Sequence, residues 1–302
     1  MLLKRKIFLI FIFSFFWATP AFFPTEALAA STPKISKQTT VASKKVVKKK
    51  TSPPQPNPAR IKSYLILRGD GKKFAGKNSL KPLPIASLTK MMTALVFLDY
   101  QQKDWSEAIT YYPEKHFVYG NYLRLSPGDT LTVRDLLYSL LVASVNEPAR
   151  MLVEATDLSE KDFIAKMNAR ARALGMKNTR YVDVSGFSPQ NISTATDQAK
   201  LLKTVFAKEE LREIMAAEFY EFEEAMSADA TAEHRFSNTN TLLGKTKLEI
   251  LVSKTGYLDE AKNNLAMVVR KNGRVFYVVT LGDPSRYRDF RSTELLVKKT
   301  IF

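Results

Sequence analysis

The side chains best suited to nucleophilic chemistry lie in the segment Ser87-Leu88-Thr89-Lys90. Residues three positions apart on a helix share a face, so the Lys90 amine could reach the Ser87 hydroxyl and accept its proton. This role requires a neutral lysine, and apolar neighbours such as Ile85 and Met91 would lower the lysine pKa by burying the amine. The segment predicts a serine nucleophile with a lysine base, although this spacing also arises by chance.

Two further motifs each occur once in the chain. Ser144-Val145-Asn146 follows a predicted helix, where a loop could direct a hydroxyl and an amide at the nucleophile. Asn146 before Glu147-Pro148 is also typical of a helix N-cap. Lys254-Thr255-Gly256 follows a strand-like run, and its cation and hydroxyl could bind a substrate carboxylate while the glycine admits a substrate backbone. Taken alone, this third motif could equally be the turn that ends the strand.

In this order and with these gaps, the three motifs form the set typical of penicillin-binding proteins and class A β-lactamases. From about Ile61 to Phe302 the chain resembles the serine D-alanyl-D-alanine peptidases of low molecular mass, a family of carboxypeptidases and endopeptidases. The resemblance extends to the stretches 86–93, 132–137, 167–171, 174–176 and 191–195. It implies a β-lactamase/transpeptidase-like fold and acyl transfer on peptidoglycan stem peptides.

The resemblance implies a catalytic role for four residues. Ser87 would attack the carbonyl of the penultimate D-alanine, with Lys90 as its general base. Ser144 would pass a proton to the leaving amine, and Asn146 would orient both the substrate amide and Lys90. Water would then hydrolyse the acyl-enzyme, with no metal and no cofactor. A β-lactam antibiotic would acylate Ser87 and remain attached.

The same resemblance implies a substrate-binding role for four residues around the third motif. Lys254 and Thr255 would bind the terminal carboxylate and keep the pKa of Lys90 low. Gly256 would let the substrate backbone lie against the strand edge. The backbone N–H groups of Ser87 and Tyr257 would form the oxyanion hole.

The chain departs from the family pattern at several positions. Val145 stands where small residues are usual and could narrow one side of the cleft. The family arginine expected near the last strand is missing, because residues 282–285 read Gly-Asp-Pro-Ser, and Arg286 is the nearest candidate. The chain also stops soon after the last motif, so any membrane attachment is expected at the N-terminus.

The motif set favours a serine-type D-Ala-D-Ala carboxypeptidase, which is the commoner activity for it. The alternative is a D-alanyl-D-alanine endopeptidase that cuts peptidoglycan cross-links, favoured by the missing arginine, the early chain end and the segment 236–240. A β-lactamase is disfavoured because no Glu-x-x-Leu-Asn segment supplies a deacylating glutamate. An inactive wall-binding scaffold is disfavoured because Ser87 and Lys90 are both retained.

Composition excludes other kinds of site. The chain has no cysteine, which rules out disulfides, thiolate-held metals and cysteine nucleophiles. Its two histidines, His116 and His234, are far apart and lack zinc-peptidase spacing. The net charge of +16 does not predict nucleic-acid binding, because half of it lies in residues 31–60, which contain no aromatic residue.

The N-terminus predicts export. Residues 1–30 combine Lys4-Arg5-Lys6, a short apolar run and small residues at Ala27 and Ala29, the pattern of a signal peptide or, alternatively, an N-terminal anchor. Residues 31–60 hold seven lysines and Arg60 without an acidic residue, and are rich in proline. They predict a disordered tether that either contacts an anionic membrane or wall polymer or simply stays solvated.

Residues 61–302 predict a mixed α/β (α+β) domain. A hairpin is expected over 61–77, followed by helices from near Ser87 to Tyr100 and over 132–143, 147–155 and 160–174. The second of these helices starts with Thr132-x-x-Asp135, which resembles a capping box. Strand patterns return at 248–253, 264–270 and 274–281, with a two-residue turn at Asn272-Gly273, and a last helix is expected over 287–302. This order predicts an antiparallel sheet built from both chain ends with a helical subdomain inserted between them.

Overall fold

The computed structural model describes residues 55–225 and 231–302, which fall within the unit Ser52–Phe302. Its helices are, in chain order, α1 (Thr89–Tyr100), α2 (Pro113–His116), α3 (Val133–Leu141), α4 (Glu147–Glu154), α5 (Glu160–Ala173), α6 (Ala195–Ala207), α7 (Glu209–Ala216) and α8 (Arg291–Ile301). Its strands are β1 (Ser63–Arg68), β2 (Lys73–Lys77), β3 (Leu83–Pro84), β4 (Ala108–Thr110), β5 (Thr130–Thr132), β6 (Ile192–Ser193), β7 (Phe219–Ala225), β8 (Thr231–Ser237), β9 (Glu249–Leu258), β10 (Lys262–Lys271) and β11 (Arg274–Asp283).

A five-stranded antiparallel sheet joins the two ends of this unit. Its strand order is β2-β1-β11-β10-β9, so that Ser63 of β1 lies opposite Leu281 of β11. The turn between β10 and β11 is the predicted one, with φ of 49° at Asn272 and 71° at Gly273, as a type I′ hairpin requires. The prediction of an antiparallel sheet made from both chain ends is confirmed.

The sheet separates two hydrophobic clusters. Met267 and Val278 lie in the cluster beneath α8, whereas their neighbours Val268 and Val279 lie in the larger cluster formed with the inserted helices. Successive strand residues point to opposite faces, so strands covered on both sides read as continuous apolar runs. The sheet is therefore the middle layer between α8 and the helical subdomain.

Helix α1 runs through the larger cluster and positions the site. Nine of its twelve residues are buried, so it lies in the interior rather than on the surface. Helix α3 begins with the predicted capping box, in which the Thr132 side chain accepts the Asp135 N–H and Asp135 accepts the Thr132 N–H. The helices predicted over 132–143, 147–155 and 160–174 are confirmed as α3, α4 and α5.

Three predicted element boundaries were wrong. The α-helix begins at Thr89 rather than near Ser87, because Ala86–Leu88 form a 3-10 turn that starts from a left-handed Ala86 with a φ of 49°. The motif Lys254-Thr255-Gly256 lies inside β9 rather than at its end, because pairing with β10 continues to Leu258. The last helix begins at Arg291 instead of residue 287.

A second sheet, with the order β4-β5-β7-β8, has no counterpart in the sequence-based prediction. Its hairpin β7–β8 places Tyr220, Phe222, His234 and Phe236 on one face, where the Tyr220 ring stacks on Tyr138 at 3.9 Å between centroids. The alternation of these rings with charged residues is a period-two pattern that could have predicted the hairpin.

The predicted signal peptide or anchor, and most of the predicted tether, lie outside the described residues. The end of the tether segment is part of the described structure. Pro58–Arg60 form a 3-10 turn, and the Asn57 N–H donates to Ser292 Oγ at 3.0 Å. The packed region thus starts shortly before Ile61, the predicted boundary. Within residues 55–225 and 231–302, no helix is long and apolar enough to cross a membrane.

Candidate active site

The proposed nucleophile lies on the 3-10 turn that precedes α1. Ser87 is half-buried at the centre of this turn, and Lys90 follows in the first turn of α1. The Lys90 Nζ lies 2.9 Å from Ser87 Oγ, within hydrogen-bond distance. The left-handed Ala86 makes the turn tight, so both side chains point toward the same cleft although they do not share one continuous helix.

The Lys90 amine is fully buried and enclosed by polar partners. Its Nζ donates to Asn146 Oδ1 at 2.7 Å and to the Ser185 carbonyl at 2.6 Å. Burial lowers the pKa of Lys90 to about 7, against the opposing charge of Asp183. A large fraction of the amine is therefore neutral near pH 7, as a general base requires.

The second motif occupies the loop between α3 and α4. Ser144 has a φ of 62°, an unusual conformation for a non-glycine residue that turns its side chain toward the cleft. Asn146 holds the N-cap position of α4 but makes no side-chain cap bond; its Nδ2 donates to the Tyr119 carbonyl at 2.6 Å instead. The amide therefore serves the site, and the N-cap interpretation of the Asn146 side chain was wrong.

Val145 does not narrow the cleft, contrary to expectation. Its side chain is 2% exposed and packs in the larger hydrophobic cluster. Ser144 and Asn146 line the cleft, whereas Val145 between them faces the interior. The functional groups of the motif are thus unaffected by the larger side chain.

The third motif brings a second buried lysine to the site. The Lys254 Nζ donates to Ser144 Oγ at 2.7 Å, across 110 positions of sequence. Burial, followed by the charges of Lys90 and Arg288, holds the pKa of Lys254 well below its usual range. The neighbouring Thr255 Oγ1 donates to Thr239 Oγ1 at 2.6 Å. The cleft therefore holds two separate amine–hydroxyl contacts, Lys90 with Ser87 and Lys254 with Ser144.

Two glycines allow close approach to the nucleophile turn. A Cβ on Gly256 would lie 2.7 Å from the Ile85 carbonyl oxygen and 3.1 Å from the Ser87 nitrogen. A Cβ on Gly186, which has a φ of 84°, would lie 2.2 Å from the Ala86 carbonyl oxygen. Strand β9 and the loop after α5 therefore clamp this turn from two sides, and any other residue would displace it.

These groups open into a cleft of about 420 Å³. Its lining residues come from all three motifs, from strands β9 and β10 and from four further loops: Ser87, Gly120, Asn121, Ser144, Asn146, Gly186, Phe187, Thr239, Thr255, Gly256, Tyr257, Leu258, Asn263, Tyr287, Arg288 and Phe290. Lys90 and Lys254 lie behind this lining with 0% exposure. The structure therefore brings all eight sequence-predicted site residues together.

The cationic side chain that lines the cleft is Arg288 rather than the candidate Arg286. Arg288 lines the cleft, whereas Arg286 faces a neighbouring pocket. Asn263 on β10 causes this difference, because its side chain binds the Arg286 carbonyl at 3.0 Å and the Arg288 N–H at 2.9 Å. These bonds reverse the loop after β11 and return the chain to the cleft.

Sequence analysis also missed the loop that supports Lys90. The Asp183 carboxylate accepts N–H bonds from Ser185, Gly186 and Ser188, which shapes the loop carrying the Ser185 carbonyl. Thr93 Oγ1 on α1 donates to the Val184 carbonyl at 2.6 Å and fixes the loop to the helix. The sequence Asp183-Val-Ser-Gly is a turn signal that could have drawn attention to it.

A buried carboxyl group supports the opposite wall. Glu147 follows Asn146, is 1% exposed and accepts the Leu123 N–H at 2.7 Å. Burial raises the pKa of Glu147 to about 7. The hydrogen bond ties the segment that carries Tyr119, Gly120 and Asn121 to the start of α4. No pattern in the sequence distinguished Glu147 from any exposed acidic residue in the first turn of a helix.

Comparison with known proteins agrees with this geometry. The sequence profile of the D-alanyl-D-alanine carboxypeptidase family matches residues 48–285. The chain belongs to this family. The match spans all three motifs, so the resemblance on which the sequence analysis relied is confirmed, and the protein is a serine hydrolase of the D-alanyl-D-alanine peptidase class.

Relatives in this family carry two kinds of name. A D-alanyl-D-alanine endopeptidase of Pseudomonas aeruginosa is 32% identical over 229 residues, which cover 73% of this chain and 70% of the relative. The D-alanyl-D-alanine carboxypeptidase DacF of Bacillus subtilis is 30% identical over 239 residues, covering 78% of this chain and 60% of the relative.

Solved structures show the same fold. The D-alanyl-D-alanine carboxypeptidase of Mycobacterium tuberculosis superposes with a TM-score of 0.70 at 23% identity, over 83% of this chain and 94% of that one. The predicted penicillin-binding protein fold is therefore confirmed.

Proposed function

We propose that this protein is a serine-type D-Ala-D-Ala carboxypeptidase that acts on peptidoglycan stem peptides through an acyl-enzyme on Ser87. The observation that carries the proposal is the 2.9 Å approach of Lys90 Nζ to Ser87 Oγ, with the pKa of the buried amine at about 7. A neutral amine at this distance can accept the hydroxyl proton as the oxygen attacks a carbonyl.

The second motif completes proton transfer. As the amide C–N bond breaks, the leaving amine needs a proton, and Ser144 is the hydroxyl placed for that transfer. Its Oγ accepts a hydrogen bond from Lys254 Nζ at 2.7 Å, so a proton given up by Ser144 can be replaced through this contact. Asn146, bonded to Lys90, keeps the base oriented while it changes charge.

Groups in and around the third motif bind two parts of the substrate: the carbonyl oxygen that becomes an oxyanion, and the terminal carboxylate. The N–H groups of Ser87 and Tyr257 form the oxyanion hole, supported by the close approach of β9 to the nucleophile turn at Gly256. Arg288 supplies the positive charge and Thr255 the hydroxyl for the carboxylate of the terminal D-alanine, while the buried Lys254 acts behind them through its bond to Ser144. Water then hydrolyses the acyl-enzyme, and a β-lactam, which presents the same carboxylate, acylates Ser87 durably.

The first experiment is to incubate the purified protein with uncross-linked pentapeptide muropeptides and with cross-linked dimers, and to follow both by mass spectrometry. A carboxypeptidase removes one alanine from the pentapeptide. Ser87→Ala is expected to abolish turnover and penicillin labelling, while Ser106→Ala, at an exposed position, is the matched control. Normal turnover by Ser87→Ala would contradict the mechanism.

A second candidate is the endopeptidase activity, in which the same acyl-enzyme forms but the leaving amine belongs to a second stem peptide. It is favoured by the relative from Pseudomonas aeruginosa, which carries that name. Cleavage of the dimers to monomers in the same experiment supports this candidate. The two activities differ only in what is attached to the leaving amine.

We further propose that the protein works outside the cytoplasmic membrane, in the periplasm or cell-wall space. Family members act on peptidoglycan, and residues 1–30 have the pattern of a signal peptide or N-terminal anchor. The basic segment 31–60 favours contact with an anionic membrane or wall polymer, because clustered lysines are attracted to such surfaces.

A further inference from the structure

A second pocket adjoins the catalytic cleft. Its volume is about 510 Å³, and it shares Tyr287 and Arg288 with the cleft. The remaining lining residues come from the segment before β9, from the loop after β11 and from α8: Thr241, Leu242, Lys245, Arg286, Asp289, Arg291 and Glu294. A molecule that extends from the cleft past Arg288 therefore enters this pocket.

The pocket is positively charged. It is lined by four basic residues and two acidic ones. Both acidic groups are already engaged, since Arg291 donates to Asp289 at 2.7 Å and Lys298, outside the pocket, donates to Glu294 at 2.6 Å. Lys245 and Arg286 are exposed at its rim. The chemistry that fits such a pocket is a peptide with free carboxylates.

The order of the binding groups along the cleft indicates which part of the substrate the pocket binds. The acyl part of the substrate is held at Ser87, and the carboxylate of the leaving residue is bound at Thr255 and Arg288. Anything attached to the leaving residue must continue beyond Arg288. We propose that the pocket binds the leaving branch, meaning the second stem peptide whose amine is released when a cross-link is cut, through the carboxylates of that branch.

The inference rests on the proposed acyl-enzyme mechanism and extends it to cross-linked substrate. In the step concerned, the amide C–N bond breaks as the Ser87 Oγ–carbonyl bond forms, and the proton passes to the amine of the leaving branch. An uncross-linked pentapeptide loses a single D-alanine, which ends at Arg288 and does not reach the pocket. Lys245 and Arg286 therefore affect cross-linked substrate selectively.

The test compares both substrates with the full chain. The double variant Lys245→Ala/Arg286→Ala is expected to lower kcat/KM for cross-linked dimers about three- to tenfold, as removal of two exposed charge contacts implies, and to change it less than about twofold for the pentapeptide. Arg286→Lys retains dimer cleavage. Arg274→Ala, an exposed arginine at the opposite end of β11, is the matched control and leaves both substrates unchanged. Added salt weakens dimer cleavage more in the wild type than in the double variant.

Two outcomes overturn the inference while leaving the proposed function intact. One is a wild-type protein that trims the pentapeptide but does not cut dimers. The other is a double variant that loses activity on both substrates equally or on neither. If instead penicillin does not label Ser87 and neither substrate is turned over, the proposed function itself fails, and the inference fails with it.

Discussion

Two lysines, Lys90 and Lys254, are both fully buried beside the same cleft, where protonating both would place two charges in a medium that solvates them poorly. Burial lowers the pKa of each, and the charge of Lys90 lowers that of Lys254 further. Each lysine faces a serine hydroxyl, at 2.9 Å and 2.7 Å. At the residue scale, the site is thus a pair of amine–hydroxyl contacts whose protonation decides the chemistry.

The titration of Lys90 predicts how acylation depends on pH. Its neutral form is the base, and its pKa is about 7, so the rate of acylation is expected to fall about tenfold per pH unit below 7 and to level off above it. Stopped-flow acylation by a chromogenic β-lactam between pH 5 and 9 measures this profile. Lys90→Arg, which keeps the charge permanently, is expected to lose at least about 100-fold in rate.

The matched control for that variant is Lys299→Arg, at an exposed position on α8. It is expected to keep the wild-type profile. A Lys90→Arg protein with wild-type acylation at pH 7 would show that Lys90 is not the base.

Arg288 is expected to affect substrate binding in the cleft, whereas Arg286 is not. Arg288→Ala is expected to raise KM for the pentapeptide about tenfold or more, because a hydrogen bond to a charged group contributes about 1.5–3 kcal/mol. Arg286→Ala is expected to leave that KM unchanged, since Arg286 faces the neighbouring pocket. Steady-state kinetics with a pentapeptide substrate distinguishes the two arginines, and equal effects would contradict their different placement.

At the scale of elements, the nucleophile turn is held by packing rather than by its own sequence. Strand β9 meets it at Gly256, the loop after α5 meets it at Gly186, and Thr93 joins α1 to that loop. The turn departs from helical geometry at Ala86, whose φ is 49°. Such a conformation persists only where its surroundings enforce it.

Substitution at Gly186 tests this clamp. Gly186→Ala is expected to destabilise the fold by about 1–3 kcal/mol and to reduce acylation, because the new Cβ would lie 2.2 Å from the Ala86 carbonyl oxygen. Gly273→Ala is the matched control: φ there is 71°, yet no atom lies within 4 Å of the added Cβ. Gly273→Ala therefore introduces backbone strain without a steric clash. Thermal unfolding and β-lactam labelling of both variants distinguish the effect of the clash from that of the strain. Equal losses of stability and labelling in the two variants would argue against the clamp.

At the scale of the whole molecule, the folded unit Ser52–Phe302 contains the cleft and both hydrophobic clusters. The five-stranded sheet lies between α8 and the helical subdomain, and the cleft opens where the edge strand β9 meets the turn before α1. All groups of the site thus belong to this one unit.

This arrangement predicts the effect of removing the N-terminus. A chain starting at Ser52 is expected to retain the Tm and the kcat/KM of the longer protein, since the cleft and both clusters lie within Ser52–Phe302. It is expected to lose binding to anionic lipid vesicles, because all seven lysines of residues 31–60 are gone. Calorimetry and vesicle sedimentation measure the two properties. A Tm lowered by several degrees would show that the removed residues stabilise the fold.

The sequence alone determined the identity of the three motifs, their order and the elements that carry most of them. Ser87 and Lys90 are close in the chain, and the capping box at Thr132 and the turn at Asn272-Gly273 are local patterns, so short-range physics was sufficient to predict them. The apolar runs near both chain ends predicted strands for the same reason, and the order of strands and helices along the chain predicted that they share one antiparallel sheet.

Only the tertiary structure decided what depends on contacts between distant segments. The pKa of Lys90 is set by burial and by the charge of Asp183, 93 positions away. The choice of Arg288 over Arg286 is set by Asn263 on another strand. The clamp at Gly186 and the charged pocket beside the cleft likewise join separate parts of the chain. The spacing of residues in the sequence does not predict these long-range contacts, because packing of the whole core brings the segments together.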